Sequence, residues 1–321
     1  MYSFIKVNKE KWTLISIKEK IIFLKMDDKD LEILKLLLFD GRMSYESIAK
    51  KVKLTPYLIK KRINNLVDLG VIMKFTTNIN FLMFQKSVCY TLAEIRGGTD
   101  QHELIERIGK LDAVTGGAIS LQNKMQIIHT YSDDYEFKKN LEELMQFKEI
   151  RNTENFILLI PPDLDFKKER LIKTDWKIIN SIKDNCRKTD VEIANELGIS
   201  PRTVKRRLSY LRENNIIIFM IDLDTSAADF LSYLLIVKFQ RIASESFNKI
   251  MKIVKNYFYV WRVANQEAFI FTVFINKLRE IDDQVKEIEK IQHVKEVISF
   301  VPIKMFYFEN WIDRLIKDNA N

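Results

Sequence analysis

The line ISPRTVKRRLSYL, from Ile199 to Leu211, sets four cations within six residues: Arg202, Lys205, Arg206 and Arg207. Clustered guanidinium and ammonium groups donate hydrogen bonds and accept none, so their counterpart is a polyanion or a carboxylate. On a helix turning by about 100° per residue, Val204, Leu208 and Leu211 share one narrow stripe and face a core. Arg202, Arg206 and Ser209 lie opposite that stripe, flanked by Thr203 and Lys205. Arg207 sits beside the stripe and reaches sideways, toward a phosphate or an acidic neighbour. A face built from Arg, Arg and Ser suits base edges and phosphates in a major groove. The plainer alternative is the solvated back of an ordinary helix.

A related line, LTPYLIKKRINNL, runs from Leu54 to Leu66, and a shift of 145 residues aligns the two without gaps. Arg42 meets Arg187, Thr55-Pro56 meets Ser200-Pro201, Lys60 meets Lys205, and Arg62 meets Arg207. In the first copy Ile59, Ile63 and Leu66 form the core stripe. Tyr57, Lys61 and Asn64 face outward, flanked by Leu58 and Lys60. Tyr57 and Leu58 suit a thymine methyl, and Asn64 suits adenine. The candidate DNA contacts are therefore Thr55, Tyr57, Leu58, Lys60, Lys61 and Asn64 in one copy. In the other they are Ser200, Arg202, Thr203, Lys205, Arg206, Arg207 and Ser209.

These helices need elements to hold them. Each copy reads as three helices and a short hairpin. Ser44 caps the second helix of the first copy, with Gly41 as a stop before it and Gly70 as the stop after the third. Thr55 precedes Pro56, which fits the first helical position because its missing N–H costs nothing there. The second copy repeats these signals, with Asp190 as a cap, Gly198 at the turn and Asn214-Asn215 as the stop. VIMKFTTNI is β-rich and fits a wing. After each copy the pattern is strand, helix, two strands, helix, strand, the βαββαβ order of a ferredoxin-like module. The expected fold class is α+β, two winged helix-turn-helix domains alternating with two ferredoxin-like βαββαβ domains. The expected boundaries are an N-terminal extension over 1–25, then 26–80, 84–163, 164–225 including a linker, 229–308, and a tail helix over 309–321. Pro161-Pro162 and the charged KKER segment mark the linker.

Composition bounds the rest. The chain has 321 residues, 47% hydrophobic and 30% charged, with a net charge of +8. The excess concentrates in residues 1–25, 27–75 and 172–221, which favours a polyanion met by those segments. Cys89 and Cys186 lack CxxC spacing and read as buried or incidental thiols. His102, His129 and His293 are scattered singly, and no motif for a metal, cofactor or nucleophile appears. No cofactor is expected. No run is long enough to span a bilayer and no signal peptide is legible, so a cytoplasmic protein without a membrane partner is expected. Residues 1–25 read as a basic arm, a packing helix, or sequence ahead of the first unit's start. Trp311, Ile312, Leu315 and Ile316 of the tail recur at helical spacing and read as packing.

The segment DDKDLEILKLLLFDGRMSYESIAKKVKLTPYLIKKRINNLVDLGVI resembles the AsnC-type helix-turn-helix of Lrp/AsnC transcription regulators. The marks are D-x-x-I-L, D-G-R-x-S, I-A, the T-P helix start and G-V-I. The βαββαβ modules are similar to that family's effector-binding and oligomerising domain. The resemblance covers roughly residues 26–308 as two fused units where the family usually has one. It implies a sequence-specific regulator of double-stranded DNA, not an enzyme. It also implies that the two halves pair within the chain, with homo-oligomers through the same modules. The family's Gly-Asp-Tyr-Asp-like turn is replaced here by SLQNK (Ser120 to Lys124) and ANQE (Ala264 to Glu267). An amino-acid effector is therefore not expected at that place, and another small molecule or no ligand is left open. Gly116-Gly117 reads as a bulge or close sheet approach. Sirohaem decarboxylases also resemble paired AsnC units, and His129 and Arg262 are the candidates for lining a tetrapyrrole pocket. A non-specific architectural DNA-binding protein is the third reading.

Overall fold

Local signals set the helices. In α1 (Asp28–Phe39) the side chain of Asp27 accepts from the Asp30 N–H and the side chain of Asp30 accepts from the Asp27 N–H, a reciprocal cap. α2 (Tyr45–Val52) is capped by Ser44, and α3 (Pro56–Asp68) by Thr55. The structure is a computed structural model and describes residues 3–6, 12–15, 26–159, 171–224, 227, 231–275 and 277–320. In the extension, the stretches Ser3–Lys6 (β1) and Trp12–Ile15 (β2) are antiparallel strands, so a packing helix is not found there; its other residues lie outside the described set. The Pro161-Pro162 and KKER linker also lies outside it. Among the described residues no helix is long and apolar enough to cross a membrane.

The second copy forms α6 (Lys173–Ile182), α7 (Asp190–Leu197) and α8 (Pro201–Glu213). One expected cap moves. Thr189, not Asp190, caps α7: its hydroxyl accepts from the Glu192 N–H while Glu192 accepts from the Thr189 N–H at 2.6 Å. Asp190 opens the helix and accepts instead from Arg42 of the first copy.

The wings also depart from expectation. Each copy supplies one long strand, β3 (Ile72–Ile79) or β8 (Ile217–Leu223), and the two pair with each other antiparallel. Neither IMKFTTNI nor IIFMIDL contains a Gly or Pro turn to fold it back on itself, so each strand finds its partner in the other copy. The exchange carries core residues with it. Ile221 and Leu223 of β8 pack into the first helix-turn-helix core, and Ile79 of β3 packs into the second.

The first module is β4 (Ser87–Ile95), α4 (Gln101–Ile108), β5 (Val114–Ser120), β6 (Lys124–Tyr131), α5 (Asp134–Met145) and β7 (Ile150–Ile157). The second is β9 (Leu231–Phe239), α9 (Ser244–Ile253), β10 (Tyr257–Arg262), β11 (Ala268–Ile275), α10 (Arg279–Glu289) and β12 (Val294–Phe300). Their sheets run β5-β6-β4-β7 and β10-β11-β9-β12, the same ferredoxin-like order. A further strand, β13 (Pro302–Tyr307), leaves the second module and pairs with β5 of the first. Gly116 permits this close approach, and Gly117 permits the one to β6 on its other side. A Cβ on Gly116 would lie 2.8 Å from the Phe306 carbonyl oxygen, and one on Gly117 2.5 Å from that of Gln126. In return, Leu158 after β7 bridges to Val263 of the second module.

The two sheets pack face to face through Leu92, Ala118 and Phe156 of one and Leu234, Ile236 and Ile270 of the other. Lys238 of the second module binds Glu154 of the first across that contact. The tail helix α11 (Trp311–Ala320) buries Ile312, Ile316 and Ala320 against the second helix-turn-helix core. Cys89 and Cys186 are free and buried.

Candidate nucleic-acid interface

Two matched turns aim the third helices. Lys53 ends α2 with φ 59°, and Gly198 ends α7 with φ 65°, the left-handed conformation that turns the chain sharply. Thr55 Oγ1 then accepts from the Leu58 N–H at 3.3 Å, and Ser200 Oγ from the Thr203 N–H at 3.1 Å. The Thr55 and Ser200 hydroxyls thus cap helices. Ile59, Ile63 and Leu66 anchor α3 with at most 2% exposure, and Val204, Leu208 and Leu211 anchor α8 likewise within the core.

One arginine in each helix is a fastener. Arg207 forks onto Asp175 of α6, with Nε and Nη2 each 2.6 Å from a carboxylate oxygen, and Asp175 is fully buried. Arg62 binds Asp30 at 2.8 Å and Asp27 at 2.9 Å in the same way. Of the two sequence readings of Arg207, the acidic neighbour is the one found. Its guanidinium is committed to the domain's own first helix, which corrects its place among the DNA contacts.

The outer faces remain. On α8, Arg202, Lys205, Arg206 and Ser209 are exposed and Thr203 is half-buried. None of Arg202, Lys205 and Arg206 forms an ion pair with a described residue. On α3, Tyr57 is 74% and Leu58 40% exposed, with Lys60, Lys61 and Asn64 exposed beside them. A further feature supports an anionic ligand. Among the described α-helices only α3 and α8 have no acidic residue in the first turn, while each of the others carries one or two. Their positive helix ends are therefore left open to phosphate.

The ribbon of β3 and β8 relates the two helices. Phe75 pairs with Ile221 and Thr76 with Met220. Under the 145-residue repeat, Met220 is the counterpart of Phe75, and Ile221 that of Thr76. The register is therefore symmetric about that point, as a local two-fold axis requires. Arginines that the sequence reading aligned without assigning a role reinforce it. Arg42 donates to the Cys186 carbonyl at 2.7 Å and to Asp190 at 3.1 Å, and its counterpart Arg187 donates to the Gly41 and Met43 carbonyls at 3.0 and 2.7 Å. The Arg of the D-G-R motif thus ties one helix-turn-helix to the other. Its equivalence to Arg187 was the only signal for this.

The two groups weighed for a tetrapyrrole are both engaged. His129 is fully buried, with Nε2 2.9 Å from the Thr91 hydroxyl, and burial lowers its pKa to about 4. Arg262 donates to the Val263, Gln266 and Ala268 carbonyls and pairs with Glu267, closing its own turn.

The winged helix-turn-helix DNA-binding family matches residues 26–73 and 173–218. An uncharacterized HTH-type transcriptional regulator of Pyrococcus furiosus is 38% identical over 90 residues, 28% of this chain and 58% of that protein. One of Pyrococcus abyssi is 29% identical over 136 residues, 42% of this chain and 86% of that protein. The match to the first of these thus spans under two thirds of its length. Among solved structures, the sirohaem decarboxylase NirDL in complex with an iron-uroporphyrin III analogue superposes with a TM-score of 0.53 at 13% identity, over 91% of this chain and 98% of that one. That likeness is one of fold.

Proposed function

We propose that this chain is a DNA-binding transcription regulator of the Lrp/AsnC type in tandem duplicated form, whose two unequal third helices read successive major grooves of one asymmetric site. The observation that carries the proposal is the outer face of α8, whose Arg202, Lys205 and Arg206 are exposed and not ion-paired with any described residue, beside a symmetric ribbon joining α8 to α3. Helices related by a two-fold axis meet grooves about 34 Å apart. Here the half-sites differ: Tyr57, Leu58, Lys61 and Asn64 face one, and Arg202, Thr203, Arg206 and Ser209 face the other. The Arg-rich side supplies more of the salt-dependent affinity.

The test uses duplexes selected by the full chain from a random pool. Exchanging the four outer residues of α3 with their counterparts on α8 is expected to reverse the orientation of the footprint. An unchanged footprint would refute the reading. Affinity that follows salt but not sequence would favour an architectural coat instead. Because one chain carries both helices, the binding isotherm is expected to be non-cooperative in protein concentration.

A second reading, a tetrapyrrole decarboxylase, is favoured by the NirDL fold alone. The engagement of His129 and Arg262 weighs against it. Adding an iron tetrapyrrole to the purified chain is expected to give no new absorbance band.

A further inference from the structure

A cavity of about 520 Å³ lies between the wing ribbon and the two modules, with β13 and α11 contributing to its wall. Its volume falls within the roughly 300–1,000 Å³ typical of small-molecule sites. Lys74, Thr76 and Asn78 of β3 and Met220 and Asp222 of β8 line it from the ribbon.

Two lining residues offer unbonded polar side chains to the cavity. Gln126 is 3% exposed and Ser232 6%, and neither side chain bonds a described residue. Their polar atoms are accessible from the cavity, so a ligand there can bond them. The wall's charges sort the candidates. Lys74 pairs with Asp184 at 3.1 Å and Lys183 with Asp313 at 3.0 Å, so both cations are occupied. Among the described residues, the Asp222 carboxylate receives only the Thr76 hydroxyl, at 3.4 Å. Rings of Tyr90, Phe258, Tyr259 and Tyr307 line the same space. A carboxylate without a bonded cation, set among aromatic rings, is complementary to an organic cation.

We propose that this cavity binds a small organic amine on an apolar or aromatic body, its ammonium held by Asp222 and its polar remainder by Gln126 and Ser232. Burial pushes the Asp222 carboxyl up to about 6, so affinity rises as pH rises through that value. The charged and titratable groups facing Asp222 are Lys74 on β3, Asp184 after α6 and Tyr307 on β13. On the proposed DNA-binding function, the ligand would touch the ribbon that fixes one third helix against the other, and so change DNA affinity.

The test is calorimetric titration of the full chain, without DNA, with 2-phenylethylamine and with its anionic isostere 3-phenylpropionate. Saturable amine binding is expected, with the acid at least about tenfold weaker and Asp222→Asn costing the amine about tenfold. Gln126→Leu is expected to weaken the amine while raising the melting temperature, which a merely structural glutamine would not do. The site is refuted if the amine fails to saturate, if the acid binds equally well, or if Asp222→Asn leaves amine affinity unchanged. A gel shift with and without the amine tests the coupling alone, since failure there leaves the calorimetric result standing.

Discussion

Residue by residue, the arginines of α8 divide by partner. Arg207 and Arg202 are the same side chain five positions apart, yet one is bound to a fully buried Asp175 and the other is exposed to solvent. Asp175→Ala leaves the Arg207 charge unpaired and is expected to cost about 3 kcal/mol or more in urea unfolding. Arg202→Ala with Arg206→Ala removes no ion pair with a described residue and is expected to change stability by less than about 0.5 kcal/mol. The pair of results separates a fastener from a contact residue in one folding assay. Helical spacing in the sequence put Arg207 at the edge of the core stripe, but spacing holds no record of which acid waits across the fold. The counterpart pair, Asp30 with Arg62, shows that both ends of this bond are visible in the repeat once it is known to exist.

At the level of elements, caps and periodicity were the readable part. Thr55-Pro56 and Ser200-Pro201 start helices, and Gly70 ends a helix in the left-handed conformation at φ 76°. Ser200→Ala is expected to lower stability by about 1 kcal/mol, read as a shift in urea midpoint. Strand pairing was not readable. The hydrophobic pattern of β3 says that one face is buried but not which strand covers it, so a hairpin was expected where an exchange is found. β13 is a similar case, a strand whose partner lies in the other module. Gly41 follows from the same exchange. It does not adopt the left-handed conformation that Gly70 uses, but a Cβ there would sit 2.4 Å from the Met220 carbonyl oxygen of β8. Gly41→Val is expected to destabilise the chain by about 1–3 kcal/mol, as overpacking does.

For the molecule as a whole, the buried His129 and the half-buried Asp222 oppose each other in acid. His129 is held neutral at a pKa of about 4 against an ordinary 6.5, so the unfolded chain takes up its proton first and stability falls as pH drops from about 6.5 to 4. Asp222 is raised to about 6 from 3.8, so the folded chain takes up that proton first and stability rises over the lower part of the same window. Asp222→Asn removes the compensating group. Melting temperatures between pH 6 and 4 are expected to fall more steeply in that variant than in the parent chain.

The symmetric ribbon, the reciprocal Arg42 and Arg187 contacts and the face-to-face sheets make one chain a pair, with two helix faces of different chemistry. The most direct measurement is affinity for a pool-selected duplex across salt concentrations, for the parent chain and for the chain carrying Arg202→Ala and Arg206→Ala. The paired substitution is expected to weaken binding at least about tenfold and to flatten the log–log salt slope by about 1 to 2. Equal affinity and an unchanged slope, in a variant that melts like the parent, would contradict the assignment of α8 to the groove.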